Sequence, residues 1–438
     1  MTMTRRLHVG VSLAPTWLSG DGWRRLDSNI ENIYSEELYL DIAKRAEAAK
    51  LDFVFRPDTL FLDPQALETG PGFGSLDPTI LLAAMVRETS HVGLLTTIST
   101  TFNSPYVVAR QLQSLNWLSK GRVGWNIVTA LDGNENFGLP AMPSAGERYA
   151  RAAEFTQVVR RLWASYPQDA LKQDRESGRY AVSALVQPID HVGARFSVKG
   201  PLNLPAYGTS PIPLIQAGAS PTGRDFAACV ADAIFASTPD MAAALELRTD
   251  LRQRALGHGR RADDIRVLPG LSLFLAPNRA EAHELFAETH ARADIGRKIA
   301  AIRDMTGLDL SHWPDDRRVS AADMPEVAPA LRSRTHADLL LRLIRNEKPT
   351  VAELLTRPEV IGSAHWRVIG TVEDAVEQIR QWAGAGAIDG FIILPGGSVE
   401  ALRLALDDLM PRLVEARLFR DEYRGSTFAD HLKDDGDA

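Results

Sequence analysis

The segment Leu214–Ala227, LIQAGASPTGRDFA, has the residue types that an anion site needs. An apolar run leads into Gly218, Ala219 and Ser220, and Pro221 then opens a helix. Serine is a favoured N-cap and proline suits the first helical position. Gly218 lets backbone come close to a ligand, and the positive end of a helix attracts phosphate. Arg224 would add a full positive charge. The same pattern also serves a helix that is merely well capped.

Polar residues stand at the ends of three other apolar runs. Asp58, in FRPD, is placed to accept hydrogen bonds from the N–H or O–H groups of a ligand, or to act as a turn residue after Pro57. Ser99, Thr100 and Thr101 would line a polar wall against a flat molecule, although strands favour threonine in any case. Asn126 interrupts the apolar run of RVGWNIV; a buried amide must be hydrogen-bonded, so it meets either backbone or a ligand. Glu135 and Asn136 lie in the loop beyond.

Other chemistries leave no trace. GPGFGS (70–75) follows no strand and opens no helix, so it is not a dinucleotide fingerprint. There is no phosphate-binding GxxxxGK[ST] loop and no GxSxG elbow. His283, Glu284 and His290 are too far apart for a zinc helix and read as surface residues. The ten histidines show no metal spacing. No catalytic residue and no metal site is assigned. His8, His191 and His365 lie near predicted strands or insertions and read as structural. Cys229, in FAACVADAIF, reads as a core residue. Trp17, Trp125 and Trp366 could line a pocket, with packing as the default.

These residues need elements to carry them. Strands are expected at Leu7–Leu13, Asp52–Phe55, Val92–Ile98, Arg122–Val128, Pro213–Ala217, Asp232–Phe235, Leu268–Leu275 and Asp389–Leu394. They lack clean alternation, as strands buried on both faces do. Amphipathic stretches such as Glu36–Lys50, Glu147–Ser165 and Val372–Ala383 lie between them. Strand–helix alternation repeated eight times predicts an α/β fold, a (β/α)₈ TIM barrel whose chemistry collects at the C-terminal ends of the strands. The chain reads as one domain, 1–438. Insertions fall near 60–77, near 168–211 (a hairpin excursion) and near 304–350 (polar and partly helical). A charged tail over 416–438 is expected to be extended at its end.

The 438 residues are 45% hydrophobic and 24% charged, an ordinary globular balance that excludes disorder as the main state. Lys and Arg number 49 against 56 Asp and Glu, a formal net charge of −7. That argues against nucleic acid and anionic membrane as partners. The longest apolar runs, such as Leu81–Val86, fall far short of the ~20 residues of a membrane helix. No signal peptide is evident, and a single cysteine excludes an intrachain disulfide. The expectation is a soluble cytoplasmic protein.

Several stretches, in order, resemble the bacterial-luciferase-like flavin monooxygenases, and within them the nitrilotriacetate, dibenzothiophene-sulfone and pristinamycin-synthase component A group. They are FRPDTL (55–60), STTFNSPYVVARQLQSLNWLSKGRVGWNIVTA (99–130), NFG (136–138), ERYARAAEF (147–155), DHVGARFSVKGPLN (190–203), QAGASPTGR (216–224), ADAIF (231–235), IGT (369–371), DGF (389–391) and LFRDEYRGSTFADHL (418–432). The resemblance spans essentially the whole chain. It implies a luciferase-like barrel that binds FMN at the C-terminal ends of its strands. The reduced FMN is delivered by a separate NAD(P)H:flavin reductase, in keeping with the missing nucleotide fingerprint. O₂ oxidises a small heteroatom-containing compound, often with C–N or C–S cleavage.

The implied flavin contacts are Asp58, Thr100, Thr101, Asn126, Tyr149 and the Gly218–Ala219–Ser220 turn, with Arg148 as a weaker carry-over. Arg56 falls near the mouth, where an anionic substrate could meet it, and Trp125 and Phe102 would keep the chamber dry. Relatives usually carry histidine four residues before the tyrosine; here the position is Ala145. That departure leaves open a riboflavin lyase-type enzyme that degrades a flavin, or a flavin-binding protein without oxygenase activity. A deazaflavin-dependent dehydrogenase shares the barrel but fits these motifs less well. Relatives form homodimers or homotetramers.

Overall fold

The computed structural model describes residues 6–291, 295–325, 334–361 and 363–433. Eight parallel strands close on themselves: β1 (His8–Ser12), β2 (Phe53–Arg56), β3 (Gly93–Ser99), β4 (Val123–Val128), β5 (Leu214–Gln216), β6 (Ala233–Ala236), β7 (Arg266–Leu275) and β8 (Gly390–Pro395). Each pairs with the next, and β8 returns to β1 with Gly10 opposite Ile392. Every strand expected from the sequence is present. One further strand, Trp366–Gly370, lies against the outer half of β7 from Leu271 to Leu275. Its alternate residues are only partly buried, so it lacks the continuous apolar signal of the barrel strands.

The pleat sorts the side chains. Phe53, Phe55, Leu95, Ile215, Leu268 and Ile392 point inward and fill the barrel. Val9, Val11, Leu94, Ile127 and Ile393 point outward, towards the surrounding helices. The excursion over 168–211 holds two small antiparallel pairs, Leu171–Asp174 with Arg179–Ala181 and His191–Val192 with Ser197–Val198. Helices Ile295–Thr306 and Arg334–Glu347 lie around the third insertion, part of which, 326–333, falls outside the described residues.

The N-terminal end of the barrel is sealed. Phe428, fully buried in a short helix of the tail, lies 5.2 Å from the Phe53 ring, and only glycines at 93 and 124 leave room for it. The end of the tail, 434–438, is outside the described residues. Beside this plug, the buried Asp52 carboxylate accepts from the Val9 N–H at 2.6 Å, from His8 at 3.2 Å and from Arg420. Burial alone would raise its pKa; Arg420, His8 and the Val9 amide outweigh that and hold it below the usual range. With this end closed by packing and ion pairs, the strand C-termini are left as the place for a ligand.

Three sequence readings change. Cys229 is exposed, because α5 (Pro221–Val230) buries Phe226, Ala227 and Val230 and turns position 229 outward. His290 is not a surface residue; its ring lies 4.4 Å from Phe286 and 5.8 Å from Phe274. Trp17, Trp125 and Trp366 pack, which was the default reading, and it is the role given to Trp125 that changes. Trp125 faces outward, 5.9 Å from Phe155, and donates to the Ile98 carbonyl, so it cannot keep a chamber dry.

Candidate functional site

The turn from β5 into α5 is built as its sequence suggests. Ser220 is the N-cap, and its Oγ accepts from the Gly223 N–H at 3.2 Å. Pro221 has no N–H, and that of Arg224 goes to the Ser220 carbonyl. An anion here would therefore meet the positive helix end and the Ser220 hydroxyl rather than a full ring of amides. Arg224 does not add its charge. Its Nε donates to the Ala219 carbonyl and its Nη1 to Glu246 and Asp250 on the next helix.

Tyr149 comes to this turn from α4 (Ala145–Ala164), a helix started by a reciprocal cap between Ser144 and Glu147. A Cβ on Gly218 or Gly223 would overlap its hydroxyl, so both glycines are needed for the fit. The hydroxyl lies among the side chains of Thr129, Gln216 and Ser220; burial raises its pKa against the pull of those hydrogen bonds. Gln216 donates from Nε2 to the Tyr149 hydroxyl at 3.4 Å, and its Oε1 is buried without a partner among the described residues.

On the barrel's inner wall Asn126 sits beside Thr97 in register. The direction of the bonds fixes the amide. Thr97 spends its hydroxyl proton on the Arg56 carbonyl at 2.8 Å, so its Oγ accepts from Asn126 Nδ2 at 3.0 Å. Asn126 Oδ1 is left buried and without a partner among the described residues. An acceptor in that state costs free energy unless a ligand donates to it.

The remaining predicted residues are placed as follows. Thr100 and Thr101 lace β3 to β4, their hydroxyls donating to the carbonyls of Val128 and Thr129, so toward a ligand they can only accept. Asp58 turns to the loop after β2, where it accepts from Ser75 at 3.3 Å; burial pushes its pKa up to about 6. Arg148 bonds the Pro143 carbonyl and lies near Tyr149. Ala145 is exposed at the start of α4. Phe102 stacks on Phe137 at 4.3 Å above the strand ends. Arg56 does not reach the mouth: it lies over the Tyr39 ring and donates to the Leu13 carbonyl at 2.6 Å, on the helix side of the wall. The structure thus brings Asn126, Tyr149 and Gly218–Ser220 to one end of the barrel, with Thr100 and Thr101 in its frame.

Two further polar residues stand at the barrel: Gln216, which the sequence reading did not single out, and His365, which it read as structural. Gln216 stands two residues before Gly218, and its signal was a polar residue closing an apolar strand. His365 precedes the extra strand, and only the fold brings it to the barrel; burial, and then neighbouring His336, push its pKa down to about 4.

A flat molecule carrying a phosphate fits these residues: unpartnered acceptors for its N–H groups, a glycine cradle, and a capped helix start. Among the described residues no group of three or more His, Cys, Asp or Glu could hold a metal ion, and no helix is long and apolar enough to cross a membrane.

Comparison with known proteins shows which family the chain matches. Residues 36–388 match the family described as luciferase-like monooxygenase. The chain is 33% identical to nitrilotriacetate monooxygenase component A of Aminobacter aminovorans, over 99% of this chain and 97% of that one. It is 31% identical to a dibenzothiophene-sulfone monooxygenase of Rhodococcus erythropolis (strain XP), over 99% and 97%. Among solved structures it resembles the EDTA monooxygenase of Chelativorans sp. BNC1 (TM-score 0.81, 29% identity, 98% of each chain). It also resembles a riboflavin lyase solved with modified FMN and substrate riboflavin (TM-score 0.83, 28% identity, 98% of this chain and 96% of that one).

Proposed function

Because the chain belongs to the luciferase-like monooxygenase family, we propose that it is the oxygenase component of a two-component system. It takes reduced FMN from a separate NAD(P)H:flavin reductase and uses O₂ to oxidise a small heteroatom-containing or xenobiotic compound, with cleavage of a C–N or C–S bond. It works in the cytoplasm as a homodimer or homotetramer. The observation that carries this reading is the convergence of Asn126, Tyr149 and Gly218–Ser220 at the strand ends, with buried acceptors awaiting a donor.

The chain's own contribution is binding, orientation and exclusion of water. Ser220 and the positive end of α5 hold the phosphate. Asn126 Oδ1 would accept from the ring or its ribityl chain, and Gly218, packed on the Tyr149 hydroxyl, would let the backbone of the turn come close to the phosphate end. Thr100, Thr101 and Asp58 offer further acceptors around it, and Arg148 adds positive charge near Tyr149. The aromatic residues Phe55 and Phe235, 5.5 Å apart inside the barrel, exclude water below the site. When bound, reduced flavin supplies the oxygen-activating chemistry.

The test is reconstitution. The purified protein should bind FMN and oxidise substrate only with a flavin reductase, NAD(P)H and O₂; turnover with NADH and no reductase would overturn the proposal. A second reading, with a flavin as substrate, draws on the likeness to the riboflavin lyase and on Ala145. Riboflavin left unchanged by the protein with catalytic reduced FMN would end it.

A further inference from the structure

The loops that follow β2, β3 and β4 meet in one rim. Asn136 donates from Nδ2 to the Leu60 carbonyl at 2.9 Å. A Cβ on Gly133 would stand 2.7 Å from that same oxygen and 3.5 Å from the Phe61 Cβ, so the loop after β4 lies on the loop after β2. Phe102, the residue after Thr101, stacks on Phe137 with the rings 4.3 Å apart and 5° from parallel.

Arg151 ties this rim to the helix that carries Tyr149. Two residues on from Tyr149 in α4, it donates from Nε to the Thr100 carbonyl at 2.9 Å and from Nη2 to the Asn103 carbonyl at 3.3 Å. One guanidinium thus holds the backbone on both sides of Phe102.

The rim has no positive charge of its own. Residues 57–77, 100–104 and 129–144 include six Asp or Glu and no Lys or Arg. They leave Leu60, Phe61, Leu62, Leu131 and Phe137 exposed. The cations at its edges are engaged: Arg151 with the two carbonyls, Arg297 with the Thr69 hydroxyl at 2.9 Å, and Arg148 with the Pro143 carbonyl. Arg56 faces the helix side of the wall. An anion brought here would shed water without meeting a free cation of these loops and would face carboxylates. An apolar molecule gains in proportion to the area it covers, and a flat one extends the stack of Phe102 and Phe137. Resting on the flavin reading above, we propose that the compound oxidised here is uncharged and largely apolar, seated against Phe102 and Phe137, and that the same rim rejects carboxylates and other anions.

The test uses two probes with one skeleton: neutral N-phenylnaphthylamine and its anionic relative anilinonaphthalenesulfonate. Their Kd values are measured by equilibrium dialysis against the FMN-loaded protein. The neutral probe should bind at least about tenfold more tightly. Phe137→Ala should weaken it by about tenfold. Leu118→Ala, at an exposed apolar residue of the helix Pro105–Ser119, should change it by less than about twofold. Phe137→Arg can still lie flat on Phe102 and adds a cation, so the sulfonate should tighten by about tenfold while the neutral probe does not. That gain also shows a folded variant. Equal affinity of the two probes in the wild type overturns the proposal. So does wild-type affinity for the neutral probe in Phe137→Ala, or a sulfonate that Phe137→Arg fails to tighten. Neither probe bound overturns it as well, and a change of oligomeric state in Phe137→Ala would then make the rim a contact between copies of the chain. If the wild-type protein binds no FMN, the flavin reading itself has failed, and the same comparison on the flavin-free protein still judges the rim.

Discussion

Gly218 and Tyr149 fit together with no spare volume: a single added carbon on the glycine would overlap the tyrosine hydroxyl. The same hydroxyl touches Gln216, so one methyl group at 218 would displace the turn, the tyrosine and the strand end at once. Overpacking of this kind costs about 1–3 kcal/mol. Gly218→Ala should lower Tm by several degrees and weaken FMN binding by at least about tenfold, read by flavin fluorescence. Gly146→Ala is the control: nothing lies within 4 Å of that position, on a helix, so affinity should be unchanged. Wild-type affinity in Gly218→Ala would remove this turn from the site.

Ser220→Asp separates charge from structure. Aspartate caps a helix as well as serine does, so α5 should keep its start. The new carboxylate faces the place where a phosphate would sit, and like charges repel. FMN affinity should fall by more than about tenfold, while riboflavin, which has no phosphate, should change by less than about twofold. FMN binding that stays as tight as in the wild type would show that the phosphate is seated elsewhere.

The barrel could be read from the sequence because its strands are buried on both faces and appear as unbroken apolar runs. Trp366–Gly370 could not: one of its faces is half exposed, and its pattern merges with a polar insertion. Asn126 stood out as a lone amide in an apolar strand. Arg224 showed its charge but not its partners, since Glu246 and Asp250 lie on the following helix and no spacing rule ties them to it. Arg56 was misplaced because strand parity at the end of β2 decides which side of the wall it faces, and parity needs the register. His365 was read as structural, and only the fold shows that it stacks on Phe235 in the space that a glycine at 270 leaves.

Asp58 should make stability fall as pH rises. In the unfolded chain its carboxyl ionises near 3.8, and in the folded protein near 6, because burial disfavours the charged form. Between those values the folded state holds more protons, so stability is lost across that window, and the full loss is present above it. Asp58→Asn removes the ionisation and can still accept from Ser75. Its Tm should exceed the wild-type value at pH 8, and the gap should close toward pH 4. A gap of the same size at both pH values would mean that Asp58 titrates normally.

The plug at the closed end tests whether the tail belongs to the barrel core. Phe428 is fully buried against Phe53 and the glycines of β3 and β4. Phe428→Ala should cost about 3–5 kcal/mol, as large-to-small changes in cores do. The glycines supply the sharper check. A Cβ on Gly124 would meet the Phe428 ring edge, so Gly124→Ala should destabilise the wild type. With Phe428→Ala in place that clash is gone, and the added methyl fills part of the cavity, so the same change should be neutral or favourable. Denaturation of the four proteins then closes a double-mutant cycle. Additive losses would mean that the ring does not occupy the space under β4, and the tail would have to be placed elsewhere.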